Sequence, residues 1–507
     1  MAFSLKAHLP CSLYAFNILC KGNIWVSYSL SKGDLSLGDL WNSIKEGITA
    51  ISDFLWTYPL AIILILGGIF LTIRIKFFQF RFFGHVLHQT IGQIFKKTEK
   101  KGTITPFQAF TSALASTAGA TNIVGVPVAI SLGGPGALFW MWLVALIGMA
   151  TKYSEILLGM KYREKNDKNI WVGGPQYYIK KALGWKWVST AFAFFLMIEL
   201  IPSTMVQSNS IATQTEGAFG WPVEITGIVM CAAIAIVVFG GIKRIAKVTD
   251  KMVPGMVLIY LAVCLYVIFA NIDQIPNVFG LIFTHAFTPI SATGGFAGAA
   301  VAQALRWGIA RGLYSNEAGL GTASIAHAAA KTDHPSRQAL WGIFSVFVDT
   351  IVICTVSGLT VLVTGAWQEV GGSDASNMIN VAIGSEFGDA FGGSFITVFL
   401  LFFVITTIGV LVFYGEKQAE YLFSLRAAKI MRIVYIVAVF VGAIGGLQFV
   451  WQFLDLILAF VLLTNIIPLL FLHKEIAALT DDYVNRVYKK RTKKRKVELF
   501  QEEEDAS

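Results

Sequence analysis

The chain has 507 residues, 55% of them hydrophobic and 14% charged, with a mean hydropathy of +0.65. A typical soluble domain is about 45–50% apolar and about 25% charged, so a purely soluble enzyme is excluded. The 39 Phe and 13 Trp exclude disorder, and the net charge of +9 informs by its placement rather than its sum.

Lys and Arg arrive in pulses at 74–101, 152–168, 180–186, 243–251, 306–337, 417–432 and 474–496. The intervals 102–151, 187–242, 252–305, 338–416 and 433–473 hold none. Each interval has room for two helices of about 20 residues and a turn. Two helices return the chain to the side it left. Every pulse after residue 74 therefore falls on one face, which the positive-inside rule makes cytoplasmic. The connector 366–394 carries Glu369, Asp374, Glu386 and Asp389 but no Lys or Arg, and reads as external.

In chain order, residues 1–53 read as an external segment. Its stretch 9–20 imitates a short signal region, but no convincing cleavage site follows, so the segment is expected to stay. An uncharged helix at 54–73 and a basic cytoplasmic connector at 74–101 come next. Helices are predicted near 107–131 and 136–160, then 188–213, 224–242, 252–271, 292–328, 339–364, 395–420, 431–449 and 452–473. The expectation is an all-α polytopic membrane protein of about eleven spans. It has one extra N-terminal helix, a first five-helix repeat at 102–272, an external connector at 273–291 and a second repeat at 292–473. A charged cytoplasmic tail at 474–507 follows. The run Lys489–Lys496 suits anionic lipid headgroups or plain solvation; nothing aromatic accompanies it for nucleic acid.

Two spans are interrupted. Ser116-Thr117-Ala118-Gly119-Ala120-Thr121-Asn122 and Gly312-Leu313-Tyr314-Ser315-Asn316-Glu317-Ala318-Gly319 put Gly beside hydroxyl and amide groups at mid-membrane depth. Gly lowers helix propensity and Ser, Thr and Asn compete for the backbone, so both are places to unwind. Close packing through small residues accounts for Ala115 and Gly125 but not for Asn122, Asn316 and Glu317. After the solitary first helix these are the first and sixth of ten. Five helices separate equivalent points, so the second half is inverted relative to the first, a 5+5 inverted repeat. Interrupted segments at matching positions of inverted halves point to a transporter's binding site. Half-helix N-termini favour a carboxylate, and freed carbonyls and hydroxyls favour a hard cation. An amino-acid zwitterion with Na⁺ uses both kinds of end; proton coupling stays open at this level.

The run Gly133-Gly134-Pro135-Gly136-Ala137-Leu138-Phe139-Trp140-Met141-Trp142 resembles the signature of the alanine or glycine:cation symporter family, the sodium:alanine symporters. The resemblance continues through Gly173-Gly174-Pro175-Gln176-Tyr177-Tyr178, Ser315-Asn316-Glu317-Ala318-Gly319 and Tyr414-Gly415-Glu416, and covers residues 54–475. It implies a leucine-transporter-type fold and cotransport of a small neutral amino acid with Na⁺, without an organic cofactor. It also implies a multi-pass protein of the cell membrane, and a monomer is plausible. By the same resemblance, substrate falls to Thr121, Asn122, Gln207, Tyr314, Ser315, Asn316, Thr407 and Leu411. Sodium falls to Ala115, Ala118, Asn122, Thr406 and Thr407. Thr121 stands where the family usually has Gly, Ser203-Thr204 where it has Gly-Asn, Tyr314 for Phe and Leu411 for Trp. The missing Trp predicts a pocket that accepts substrates slightly larger or more polar than alanine.

Glu199, Arg306, Arg311 and Asp349 also fall within predicted spans and read as paired groups bracing the bundle, such as Arg311 with Asp349 or Glu317. His285 and His327 read as interfacial. No H-E-x-x-H, G-x-S-x-G or GxxxxGK[ST] pattern occurs, so zinc protease, hydrolase and P-loop ATPase signatures are absent. A channel is the alternative from another class, but its filter would normally repeat about an oligomer axis.

Overall fold

The computed structural model describes residues 37–57, 59–94, 102–119, 121–288, 297–370, 372–445 and 448–489. The chain divides into two units at Gly47. Of the first, residues 37–47 are described, and they are helical. The second unit holds the following helices: α1 (Pro59–Arg74), α2 (Pro106–Thr117), α3 (Val126–Gly133), α4 (Ala137–Lys161), α5 (Lys186–Phe219), α6 (Val223–Val238) and α7 (Gly241–Ala270). After them come α8 (Ala297–Asn316), α9 (Thr322–His327), α10 (Pro335–Val346), α11 (Thr355–Val363), α12 (Asp389–Leu422), α13 (Leu425–Ile444), α14 (Gln448–Phe471) and α15 (His473–Tyr483).

Around a buried hydrophobic core, burial departs from that of a soluble protein in two ways. Ile225, Ile228 and Ile236 on α6, Leu258 and Phe269 on α7, and Ile430 and Ile433 on α13 are exposed, while Asn122, Lys152, Glu155, Asn316, Asp349 and Asn465 are buried. A bilayer as solvent explains both halves of this pattern. Among the described residues eight helices are long and apolar enough to cross a membrane, nine if α2 and α3 count as one bent span. The helix expected at 224–242 has 16 residues, shorter than the usual span. The span expected at 292–328 is divided into α8 and α9. The signal-like stretch 9–20 and the basic run beyond Lys489 lie outside the described residues.

At the centre stands α4, which packs on α8, α10 and α1, while α5 packs on α12, α13 and α14. The signature turn before α4 has a packing reason. A Cβ at Gly136 would fall 2.4 Å from the Ala286 nitrogen, because the connector 273–291 contains a helix, Ile275–Phe287, laid against this turn. Trp140 Nε1 donates to the Ala286 carbonyl at 3.3 Å, and Phe139 meets Phe287 edge-on at 4.9 Å. Tyr414-Gly415-Glu416 is also structural. Arg432 on α13 donates to both Glu416 oxygens, at 2.5 and 2.7 Å, and Gly415 leaves room for the Tyr435 hydroxyl.

The broken helices meet at one end. Thr105 caps α2 in a reciprocal box with Gln108, each bond 3.1 Å. The preceding residue, Ile104, forms a parallel bridge with Ala330, just past α9.

Candidate substrate and cation site

α2 ends where the sequence predicts. Ala118 turns to an extended conformation at φ −74°, ψ 105°, and after the break residues Thr121–Gly125 form a π-helical turn leading into α3. The two halves are bent by 45°. Asn122 closes the break locally: its Oδ1 accepts from Gly119 N at 3.1 Å. From α12, the Thr407 hydroxyl donates to the Ala115 carbonyl at 2.7 Å. Thr406 donates to the Phe403 carbonyl of its own helix at 2.8 Å, which leaves its lone pairs available. The structure thus brings Thr407 and the Ala115 carbonyl together at the first break, while Thr406 bonds within its own helix and Ala118 marks the end of α2.

The second break follows Asn316. Glu317 takes φ +52°, Gly319 φ +108° and Gly321 φ +76°, and α9 then begins. Three buried side chains hold this segment. Lys152 Nζ donates to the Asn316 carbonyl at 2.6 Å, at the negative end of the α8 dipole. Glu155 Oε1 accepts from Gly319 N at 2.9 Å and Gly321 N at 3.0 Å, and Asn465 Nδ2 donates to the same oxygen at 2.7 Å. Glu317 itself accepts from Ser116 at 3.3 Å and Thr322 at 2.5 Å, so it touches both breaks.

Asp349 joins the two. It lies in a π-helical stretch, Phe347–Cys354, between α10 and α11. Asn122 Nδ2 donates to Asp349 Oδ1 at 2.9 Å and to Ser315 Oγ at 3.3 Å, and Ser315 donates to Asp349 Oδ2 at 2.6 Å. Thr350 donates to the same carboxylate at 3.0 Å and accepts from Asn316 Nδ2 at 3.2 Å. Among the described residues no group of three or more His, Cys, Asp or Glu could hold a metal; the cluster around Asp349 offers one carboxylate with the hydroxyls of Ser315 and Thr350, while Asn122 and Asn316 turn their amide nitrogens toward it.

Between the breaks lies a chamber of about 30 Å³, lined by Thr121, Ser203, Gln207, Tyr314, Leu411 and the carboxylates Glu199 and Glu317. Leu196, Leu200, Leu320 and Leu458 add an apolar wall beside Leu411, and Ser116 and Thr322 add hydroxyls. A second cavity of about 280 Å³ shares Thr121, Gln207 and Tyr314 with it.

Of the residues singled out in the sequence, Asn122, Ser315 and Asn316 therefore meet around Asp349. Thr121, Gln207, Tyr314 and Leu411 share the chamber, and Ala115 meets Thr407. Arg311 pairs with neither Asp349 nor Glu317, because hydroxyls and an amide already occupy both carboxylates. Its guanidinium instead lies 5.4 Å from the Trp307 ring. His327 is fully buried rather than interfacial, with Nδ1 2.7 Å from Gln338 Nε2. The sequence reading left out Lys152, Glu155 and Asn465. The signal for the first two was their place in the apolar helix α4, hidden because they open a basic pulse that reads as a membrane boundary.

A family model described as the sodium:alanine symporter family matches residues 41–498. The chain is 49% identical over 440 residues to an uncharacterized transporter of Bacillus subtilis (strain 168), YflA, covering 86% of this chain and 93% of that one. It is 40% identical over 434 residues to the sodium/alanine symporter AgcS of Methanococcus maripaludis, covering 84% and 94% respectively. Among solved structures, MhsT in complex with L-phenylalanine superposes with a TM-score of 0.54 at 12% identity, over 76% of this chain and 90% of that one, a likeness of fold. With two broken helices joined at buried oxygens and a matching family model over most of its length, the chain belongs to the sodium:alanine symporter family of multi-pass membrane transporters.

Proposed function

We propose that the chain imports a small neutral amino acid together with Na⁺ across the cell membrane. The observation that carries this reading is the junction of the two breaks, where Asn122 of the first bonds Ser315 and Asp349 of the second. Sodium is read at Ala115, Ala118, Asn122, Thr406 and Thr407, with the Asp349 carboxylate and the Ser315 hydroxyl as further oxygen donors; carbonyl, hydroxyl and carboxylate oxygens are what a hard cation requires. Substrate is read in the chamber of Thr121, Gln207, Tyr314 and Leu411, backed by Asn122, Ser315, Asn316 and Thr407. Its carboxylate would face the cation and the freed backbone, as in transporters built from discontinuous helices.

The architecture we propose is a 5+5 inverted repeat, 102–272 and 292–473, preceded by one extra span. Residues 1–53 and the connectors 273–291 and 366–394 are external; residues 74–101 and the tail 474–507 are cytoplasmic. The basic pulses support this orientation. Proton coupling is the second reading, favoured by the two carboxylates, Glu199 and Glu317, that line the chamber. Uptake of labelled alanine, glycine, serine and glutamine into proteoliposomes, with Na⁺ and H⁺ gradients imposed separately, tests both. Accumulation driven by Na⁺ alone is the expected result. Uptake indifferent to replacement of Na⁺ by choline but abolished by a protonophore would overturn it.

A further inference from the structure

Arg311 stands on α8 one turn before Tyr314. A charge at this depth is normally paired with another residue or with a ligand. Among the described residues it forms no ion pair: its Nε is buried without a hydrogen-bond partner, and its contact is the Trp307 ring. The guanidinium borders the cavity of about 280 Å³, whose walls also include Gln207, Ser210, Ser376 and Trp451. No carboxylate is found among the described lining residues. Glu199 and Asp455 act electrostatically on the Tyr314 hydroxyl, but neither borders this cavity. Thr121, Gln207 and Tyr314 line both this cavity and the inner chamber, so whatever enters the one stands against the wall of the other.

A guanidinium held against an aromatic ring, with donors unspent and low-dielectric walls, is a receptor for a planar anion. Its fork matches a carboxylate with two parallel hydrogen bonds, and such charge-assisted bonds are about twice as strong as neutral ones. We propose that the larger cavity is a waiting site for the substrate, in which Arg311 holds the carboxylate of an arriving amino acid before it passes Tyr314 into the chamber. This rests on the reading of the chain as an amino-acid symporter, with the Ser376 end of the cavity facing outward. The ligand class is an α-amino acid with a free carboxylate and a neutral or acidic side chain. A basic side chain brings a second positive charge beside Arg311 and is turned away.

The test needs no transport. Ser376 is half-buried in the cavity wall. In full-length Ser376→Cys, corrected for labelling of the unsubstituted chain, an anionic methanethiosulfonate should react faster than a cationic one. Arg311→Gln in that background should lower the anionic-to-cationic rate ratio about tenfold and Arg311→Lys should keep it, because charge steers approach through a narrow cleft. Acetate or alanine should slow the anionic reagent in the Ser376→Cys protein but not in its Arg311→Gln derivative. In uptake, Arg311→Gln should raise KM for alanine about tenfold with the maximal rate within about twofold, the signature of lost ground-state binding. An unchanged rate ratio, or protection that survives Arg311→Gln, overturns the proposal. So does a changed ratio with unchanged KM. If no amino acid is transported at all, the symporter reading fails, and the labelling ratio with its protection by acetate still decides the role of Arg311.

Discussion

Thr406 and Thr407 are neighbours with different duties. Thr407 reaches across to the Ala115 carbonyl, while Thr406 bonds within α12. Thr407→Val removes an oxygen from the first break and one tether between α2 and α12, so the Na⁺ concentration for half-maximal uptake should rise about tenfold, the loss of roughly one charge-assisted contact. Thr406→Val removes the oxygen alone and should raise it less; Na⁺ activation curves measure both, and equal curves for wild type and Thr407→Val would remove sodium from that position. At Leu411 the sequence predicts an enlarged pocket, yet the chamber holds only about 30 Å³. Leu411→Trp should therefore overpack it and depress uptake of every substrate, whereas Leu411→Ala should admit serine- and threonine-sized substrates, a shift of about 1–3 kcal/mol in discrimination. If Leu411→Trp spares alanine while excluding larger substrates, the chamber is roomier than its walls suggest. Single residues were legible where the family pattern or an odd amide marked them, as with Asn122 and Asn316. Asp349 was not, because an acid within a predicted span reads as one half of an ion pair, with Arg311 as the other, and only the fold reveals that Ser315 and Asn122 bond it instead.

Both breaks could be located from composition, since Gly with hydroxyl and amide residues at mid-span opposes helix continuity. Their support could not. The second break depends on Lys152 and Glu155 of α4 and on Asn465 of α14, each 146 or more positions from the backbone group it holds. The break is also tight. A Cβ on Gly321 would lie 2.2 Å from Pro175 Cγ and 3.1 Å from the Asn465 amide, at a φ of +76°. Gly184 has a similar φ of +69° with nothing within 4 Å. Gly321→Ala should thus cost backbone strain plus a clash, about 3 kcal/mol or more, and Gly184→Ala the strain alone, about 1 kcal/mol. Thermal unfolding in detergent compares them directly. Equal losses would mean that Pro175 yields and that the break is not braced by packing.

At the scale of the molecule, charge placement was the most legible feature, and the contacts of α15 draw several of the basic pulses together. Lys76 pairs with Asp481 at 2.8 Å, Lys161 pairs with Glu475, and His334 Nε2 lies 3.2 Å from Asp482. Arg163 donates to the Ala328 and Ala330 carbonyls at 2.9 and 2.7 Å; burial lowers its pKa to about 10, which leaves it charged at neutral pH. These residues come from the pulses at 74–101, 152–168 and 306–337, so one end of the bundle collects them. The proposed topology makes an expectation: Asn377→Cys should react with an impermeant maleimide in intact cells, and Lys243→Cys only after permeabilisation. Labelling of both from the same side would break the two-helix rule on which the orientation rests. The same end allows the weight of α15 to be apportioned. Its ion pairs are partly exposed, and such pairs contribute about 0–1 kcal/mol each. Tyr483, by contrast, is fully buried, with its hydroxyl 2.9 Å from His85 Nε2 and its ring 5.3 Å from that of His334. Deleting a buried aromatic costs about 3–5 kcal/mol. Tyr483→Ala should therefore lower the melting temperature far more than Asp481→Ala or Glu475→Ala, and Tyr483→Phe should fall between them because it keeps the ring and loses the hydroxyl that meets His85. Were the acidic variants to prove as damaging as Tyr483→Ala, α15 would be held by its charges, and raising the salt concentration should then destabilise the protein to a matching extent.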